Sequence, residues 1–255
     1  EKYSIYDLIT PGSKRIGELE DLGIESIDDI PEDFKLTTKQ QLQVEATKQD
    51  KRIIDKESIE SFLGELEYPL YFLDYETASS LVPSFDGTRP YQQVPFQYSL
   101  HVISEPGAEE KHLEYLHREN TNPVPDLLLN LKKDIGPVGS VIVWYKNFEM
   151  SRNTEMAEMF PEYKKFLEDL NNRIVDLIEP FSNGWFVDKN FLGSASIKSV
   201  LPVLVPDLSY KKLEIQEGGT AQRLWMEAVL KESKAIDKEK LFSDLVQYCK
   251  LDTLA

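Results

Sequence analysis

The feature that most limits what this chain can fold into is a change of texture at Tyr68. From Tyr68 to Glu76 the residues are aromatic and apolar, which predicts a strand. Residues 77–95 hold Ser, Pro and Gly and predict a long loop. Phe96 to Ile103 predicts a second strand, Ser104-Glu105-Pro106-Gly107 a turn, and Lys111 to His117 a third strand. Pro125 to Lys133 predicts a helix with Leu127, Leu128 and Leu131 as its apolar points. Ser140 to Tyr145, with its Val-Ile-Val-Trp core, predicts a buried strand. Glu149 to Phe160 predicts a helix bounded by Pro161, Arg173 to Phe181 a short apolar segment, and 196–204, 219–231 and 237–253 later helices. Three meandering strands followed by helix, strand and helices imply an α/β fold, a mixed sheet flanked by helices.

The residues before Tyr68 differ in kind. Residues 1–65 are charged and helix-favouring and predict a small helical segment ahead of a 66–255 domain. Lys14 to Leu22 carries an apolar stripe of Ile16, Leu19 and Leu22, followed by a glycine turn and a short helix start at Ile30-Pro31. Thr37 to Ile59 predicts a polar helix. The pattern L-x-x-L-G-I-x-S-I-x-D-I-P is similar to a helix-hairpin-helix, a module that grips DNA backbone. The chain starts at Glu1 without a Met and stops just past Asp252, so a fragment of a longer protein is expected.

Composition narrows the function classes. No apolar run approaches 18 residues and no signal-peptide pattern is present, so a soluble, cytoplasmic protein is expected. The single cysteine, Cys249, excludes an intramolecular disulfide framework and fits a reducing compartment. The net charge of −16 argues against a phosphate-backbone partner held by basic side chains, but bound divalent ions invert a local field.

Four carboxylates are candidates for one site. Asp74 and Glu76 are two apart on a predicted strand and so point to one face. Two ionised carboxylates that close repel unless a cation lies between them, and Mg²⁺ and Mn²⁺ prefer oxygen ligands. Glu149 opens a predicted helix, with Asn147 as its expected cap. Tyr248 and Asp252 are four apart and share one face of the last helix. The loop 77–95 offers Arg89 and Tyr91 for phosphate and base contact, and Lys198 offers a further cation for substrate. His101, His112 and His117 show no metal-ligand spacing and are expected to be plain strand residues.

The motifs Tyr71 to Thr77, Val143 to Glu149 and Leu245 to Leu254 occur in an order that resembles the DEDD superfamily of 3′–5′ exonucleases in its tyrosine subclass. Ile174-Val175-Asp176-Leu177 and Ser196-Ile197-Lys198 are similar to further stretches of that superfamily. The resemblance implies a ribonuclease H-like fold over roughly residues 68–255. It also implies a two-metal Mg²⁺ or Mn²⁺ centre acting on a single-stranded DNA or RNA 3′ end. In that scheme Asp74 bridges the ions, Glu76 and Asp252 complete one seat, Tyr248 orients water and Glu149 holds an outer water. The second motif ends in Glu149 where the superfamily has Asp, and Asp176 is the fallback. Pro95 to His101 together with the first and third motifs also looks like an uncharacterised bacterial domain family that usually follows a RecB-like nuclease domain.

Overall fold

The computed structural model describes residues 3–255. In chain order its elements are α1 (Gly12–Asp21), α2 (Thr38–Lys48), β1 (Ile53–Ile54), α3 (Lys56–Gly64), β2 (Leu70–Ala78), β3 (Val94–Ile103), β4 (Lys111–Leu116) and α4 (Val124–Asp134). Then come β5 (Val141–Val143), α5 (Lys146–Met159), α6 (Lys164–Asn172), β6 (Ile174–Asp176), α7 (Glu179–Ser182), β7 (Phe186–Val187), α8 (Ile197–Leu204), α9 (Gly218–Trp225) and α10 (Lys238–Leu254). They divide into two compact units, Glu1–Glu65 with Ile178–Asp207, and Leu66–Leu177 with Leu208–Ala255.

The first unit has a small core of Ile5, Leu8, Leu19, Ile27, Ile30 and Val44. After α1, the turn at Gly23 leads to a single 3-10 turn, Ile27–Asp29. Thr37 and Gln40 form a capping box that starts α2. The one long helix expected over 37–59 is broken in two. Asp50 adopts a left-handed φ of 48° and β1 follows, after which the Asp55 side chain caps α3 by accepting from the Ser58 amide. The segment 178–207, expected within the later domain, groups with this unit because β7 pairs antiparallel with β1. Gly193 fixes that placement: a Cβ there would stand 1.8 Å from the Asp7 carbonyl oxygen. Buried Gln43 satisfies itself locally, donating to the Asp7 carbonyl at 2.7 Å and accepting from the Ile9 amide at 2.8 Å.

The second unit is α/β. Its five-stranded mixed sheet runs β4-β3-β2-β5-β6, with β2 antiparallel to β3, β3 antiparallel to β4, and β2, β5 and β6 parallel. Strand alternation decides which face each residue takes. Tyr71, Leu73 and Tyr75 of β2, with Tyr98 and Leu100 of β3, enter a core closed by Leu127, Leu128 and Leu131 of α4, Met156 of α5, and Leu167 and Leu170 of α6. Each fully buried leucine there contributes on the order of 1.5–3 kcal/mol. The opposite face carries Asp74 and Glu76, and directly across from them stand Ser99 and Gln97 of β3. α10 covers this face, accepting from the Gln97 side-chain amide at the Leu245 carbonyl, 3.0 Å away. α9 packs near the strand ends, where Trp225 stacks on Phe96 at 4.4 Å and donates to the His117 carbonyl at 2.7 Å. Gly139 lets β5 close on β2, since a Cβ there would stand 2.1 Å from the Pro69 carbonyl. Among the described residues, no helix is long and apolar enough to cross a membrane.

Candidate metal centre

β2 delivers the first two acids. Asp74 and Glu76 project from one face, and the register slips at Glu76/Thr77, a bulge of the kind that re-aims side chains at a strand's end. Glu76 is only 7% exposed. α10 crosses that face and delivers Tyr248, Cys249 and Asp252, of which the tyrosine and cysteine are buried. One oxygen each from Asp74 and Glu76 and the Cys249 sulfur lie within 4.8 Å of one another. The Cys249 thiol donates to Asp74 Oδ2 at 3.6 Å.

Asp252 stands outside that trio but belongs to the same electrostatic group. Burial holds the Asp74 carboxyl well above the usual carboxylate range, and the charges of Asp252, Glu76 and Glu149 raise it further. Three of the acids singled out in the sequence therefore act on the fourth, Asp74. Asp252 accepts a short hydrogen bond from the Tyr210 hydroxyl. The Tyr210 and Tyr248 rings lie 6.3 Å apart at 57°. Burial raises both phenols, and the Asp252 charge adds to each, so both remain proton donors. Gly218, the first residue of α9, borders the site: a Cβ there would stand 3.5 Å from Glu76 Oε2 and 3.9 Å from the Tyr248 hydroxyl. The Tyr248 hydroxyl thus reaches the acid pair's own surroundings.

Glu149, in the first turn of α5, is 2% exposed, and its Oε2 has no hydrogen-bond partner among the described residues. Burial pushes its carboxyl up to about 8, its own backbone amide draws it back, and the Asp176 charge adds to the rise. Asn147 is not the cap of α5. Tyr145 occupies that position in the left-handed region, and the cap is Asp176 at the end of β6, accepting from the Tyr145 and Lys146 amides at 2.8 Å each. Parallel pairing of β5 and β6, with Val143 opposite Asp176, brings this carboxylate to the helix start. Both Asp176 oxygens are thereby engaged by backbone, whereas Glu149 keeps an orphaned one.

The remaining residues fall as follows. Arg89 sits on the loop after β2 and pairs with Glu155 at 2.6 Å, while Tyr91 is 68% exposed with φ of 59°. Lys198 stands on α8 in the first unit. The histidines do more than line a strand. His101 Nδ1 and Ser99 Oγ lie 2.8 Å and 2.6 Å from Thr253 Oγ1, and His112 Nε2 lies 2.9 Å from Ser99. This network ties the last turn of α10, one residue beyond Asp252, to β3.

Tyr210 and Cys249 are the site residues that the motif reading passed over. Tyr210 opens a single 3-10 turn, Tyr210–Lys212, 42 residues before its partner, with no spacing to mark it. The donor set, an Asp74 carboxyl raised by three neighbouring acids together with the orphaned oxygen of buried Glu149, fits a divalent cation.

Residues 71–196 match the model of a family described as "Domain of unknown function (DUF2779)". That stretch takes in Asp74, Glu76, Glu149 and Asp176 and stops short of Tyr248 and Asp252. The chain is 29% identical over 212 residues to "Uncharacterized protein MG366 homolog" of Mycoplasma pneumoniae, covering 74% of this chain and 31% of that protein. It is 26% identical over 204 residues to "Uncharacterized protein MG366" of Mycoplasma genitalium, covering 72% and 30%. It is also 25% identical to "Uncharacterized protein UU173" of Ureaplasma parvum, covering 99% of this chain and 39% of that protein. The chain thus spans about a third of the length of the curated relatives it matches. No solved structure matches it.

Proposed function

We propose that the second unit is a ribonuclease H-like, metal-dependent nuclease of the DEDD tyrosine subclass, removing nucleotides from a single-stranded 3′ end. The observation that carries this reading is the crossing of α10 over the acid-bearing face of β2, which sets Cys249 within 4.8 Å of Asp74 and Glu76 and brings the Tyr248 hydroxyl and Glu76 to the same glycine, Gly218, while Asp252 and Glu149 act on the Asp74 carboxyl. A mixed sheet whose first strand carries the acid pair and whose last helix covers it is the arrangement the resemblance implies.

Asp74, Glu76 and Asp252 would hold two Mg²⁺ or Mn²⁺ ions, with Glu149 at the outer edge. Such ions, when bound, supply an activated water and neutralise charge on a phosphodiester in line with the attack. Tyr248 keeps its proton and so acts as a donor that orients the attacking water rather than as a base. Tyr210 holds Asp252 by its hydrogen bond and limits how that carboxylate can turn. Asp176 holds the start of α5 and with it the position of Glu149. Arg89 and Tyr91 would meet the strand beyond the cleavage point, Arg89 with its charge already shared with Glu155. Cytoplasmic location and a RecB-like nuclease domain elsewhere in the full protein belong to the same proposal.

The net charge of −16 favours one other reading, a non-catalytic ribonuclease H-like module that positions nucleic acid or a partner for a nuclease domain elsewhere in the protein. End-labelled single-stranded DNA and RNA incubated with Mn²⁺, with and without chelator, separate the two. The proposal expects stepwise shortening from the 3′ end that stops with chelator and is abolished by Asp74→Asn. Binding without cleavage under all conditions favours the module.

A further inference from the structure

Cys249 takes no part in the scheme above, yet its sulfur shares the space of the acid pair. The residue is fully buried, its Sγ is 3.6 Å from Asp74 Oδ2, and that sulfur and one oxygen from each of Asp74 and Glu76 lie within 4.8 Å of one another. Donors around a tetrahedral ion, with metal–oxygen distances near 2.0–2.2 Å and metal–sulfur near 2.3 Å, stand roughly 3.3–3.8 Å apart. The three side chains are therefore within about an ångström of a ligating arrangement, and the Cys249–Asp74 pair already has that spacing.

A second observation concerns an acid whose charge is felt at Asp74. Glu149 Oε2 is buried with no hydrogen-bond donor among the described residues, and the Glu149 charge adds to the rise of the Asp74 carboxyl. A buried carboxylate oxygen without a donor is costly unless a cation compensates it.

The chemistry of sulfur decides which cation. Mg²⁺ and Ca²⁺ take oxygen ligands, whereas zinc and cobalt accept a thiolate beside carboxylates. We propose that Cys249 is the third ligand, with Asp74 and Glu76, of a seat suited to a thiophilic divalent ion such as zinc or cobalt. Binding exchanges the thiol proton, now donated to Asp74, for the ion, and the proton leaves to solvent. The proposal rests on the metal seat of the preceding reading and is independent of phosphodiester cleavage.

Cobalt titration of the intact chain tests it. Cobalt saturation should produce a near-ultraviolet thiolate-to-cobalt charge-transfer band. Cys249→Ser should abolish that band and weaken cobalt and zinc binding by about tenfold or more, since an oxygen replaces the soft ligand. Manganese affinity, read by electron paramagnetic resonance, should change far less. Manganese binding together with a bandless cobalt complex overturns the role of Cys249 and leaves the metal seat standing. Failure to bind either ion overturns both. If circular dichroism shows that Cys249→Ser does not fold, the wild-type cobalt spectrum decides by itself.

Discussion

Tyr248 is where a single oxygen separates catalysis from packing. Its ring is buried near Tyr210, and its hydroxyl and a Glu76 oxygen both lie close to Gly218. If that hydroxyl orients water, Tyr248→Phe slows turnover by roughly 10²-fold or more, the low end of what a positioned proton-transfer group contributes. Stability should move by no more than about 1.5 kcal/mol, the scale of one neutral hydrogen bond. Steady-state turnover and a thermal melt check both, and wild-type turnover would remove the water-orienting role. Asp74→Asn should act the other way on stability. Replacing a carboxyl whose ionisation is opposed by burial and by Asp252, Glu76 and Glu149 should raise the melting temperature of the chelated protein, and an unchanged or lower value would mean that Asp74 is not electrostatically strained. At this scale the sequence was legible where spacing sets a face. Asp74 with Glu76 follows period two, and Tyr248 with Asp252 follows one helical turn. Cys249 was not, because a residue one step on is turned about 100° around the helix, and only the crossing of α10 over β2 brings it to Asp74. Tyr210 was illegible for a different reason, since nothing local in a single 3-10 turn signals a hydrogen bond to a distant helix.

Elements fell into place where their own periodicity specified them and failed where a partner elsewhere did. The helix expected over 37–59 has no interior glycine or proline to break it; pairing of Ile53 and Ile54 with β7 does so. The same pairing draws residues 178–207 out of the domain in which their position in the chain would put them. The cap of α5 is another such case, because Asp176 becomes a cap only once β6 lies parallel to β5. Asp176→Ala should therefore cost about 0.5–2 kcal/mol, the range for a lost helix cap, and loosen Glu149 as well. Denaturant melts measure the first effect; a cut in activity greater than the stability loss explains would mark the second. In the first unit, Asp188 accepts from Arg52 Nε at 2.7 Å. Its burial alone would raise the carboxyl, but the Asn190 amide, the Arg52 guanidinium and the Asn190 side chain outweigh that and hold it below its usual range. A depressed carboxylate stabilises the fold above the unfolded value of about 4, and that contribution is lost as pH falls through the lower folded value. Melting temperatures followed from about pH 6 to pH 2 should thus fall less steeply in Asp188→Asn than in the parent, and parallel curves would rule the linkage out.

The charge of the whole chain settles how it could meet a polyanion. With a net charge of −16, it cannot rely on a broad basic surface to neutralise phosphates. The arginine nearest in sequence to the acid pair is already committed, Arg89 to Glu155, and Arg152 shares the same glutamate at 3.1 Å. Phosphate charge would then be met chiefly by divalent ions held on Asp74, Glu76 and Asp252, because bound ions are the largest local charges in such a site. This has a measurable signature. Each phosphate neutralised by a basic side chain adds about −0.7 to the slope of log affinity against log monovalent salt for a single strand. A protein that engages its strand through held ions should therefore show a shallow slope, smaller in magnitude than about 1.5, which corresponds to two such contacts. Affinity should collapse when the divalent ion is chelated or when Asp74→Asn is used. Fluorescence anisotropy of a labelled oligonucleotide, taken across a salt series at fixed Mn²⁺ and repeated with chelator, gives both quantities. A steep slope that persists with chelator would mean that basic side chains away from the acid cluster carry the binding, which favours the non-catalytic module. A shallow slope that depends on the divalent ion places recognition and chemistry on the same four carboxylates, and then the acidity of the chain is a consequence of its mechanism rather than an argument against it.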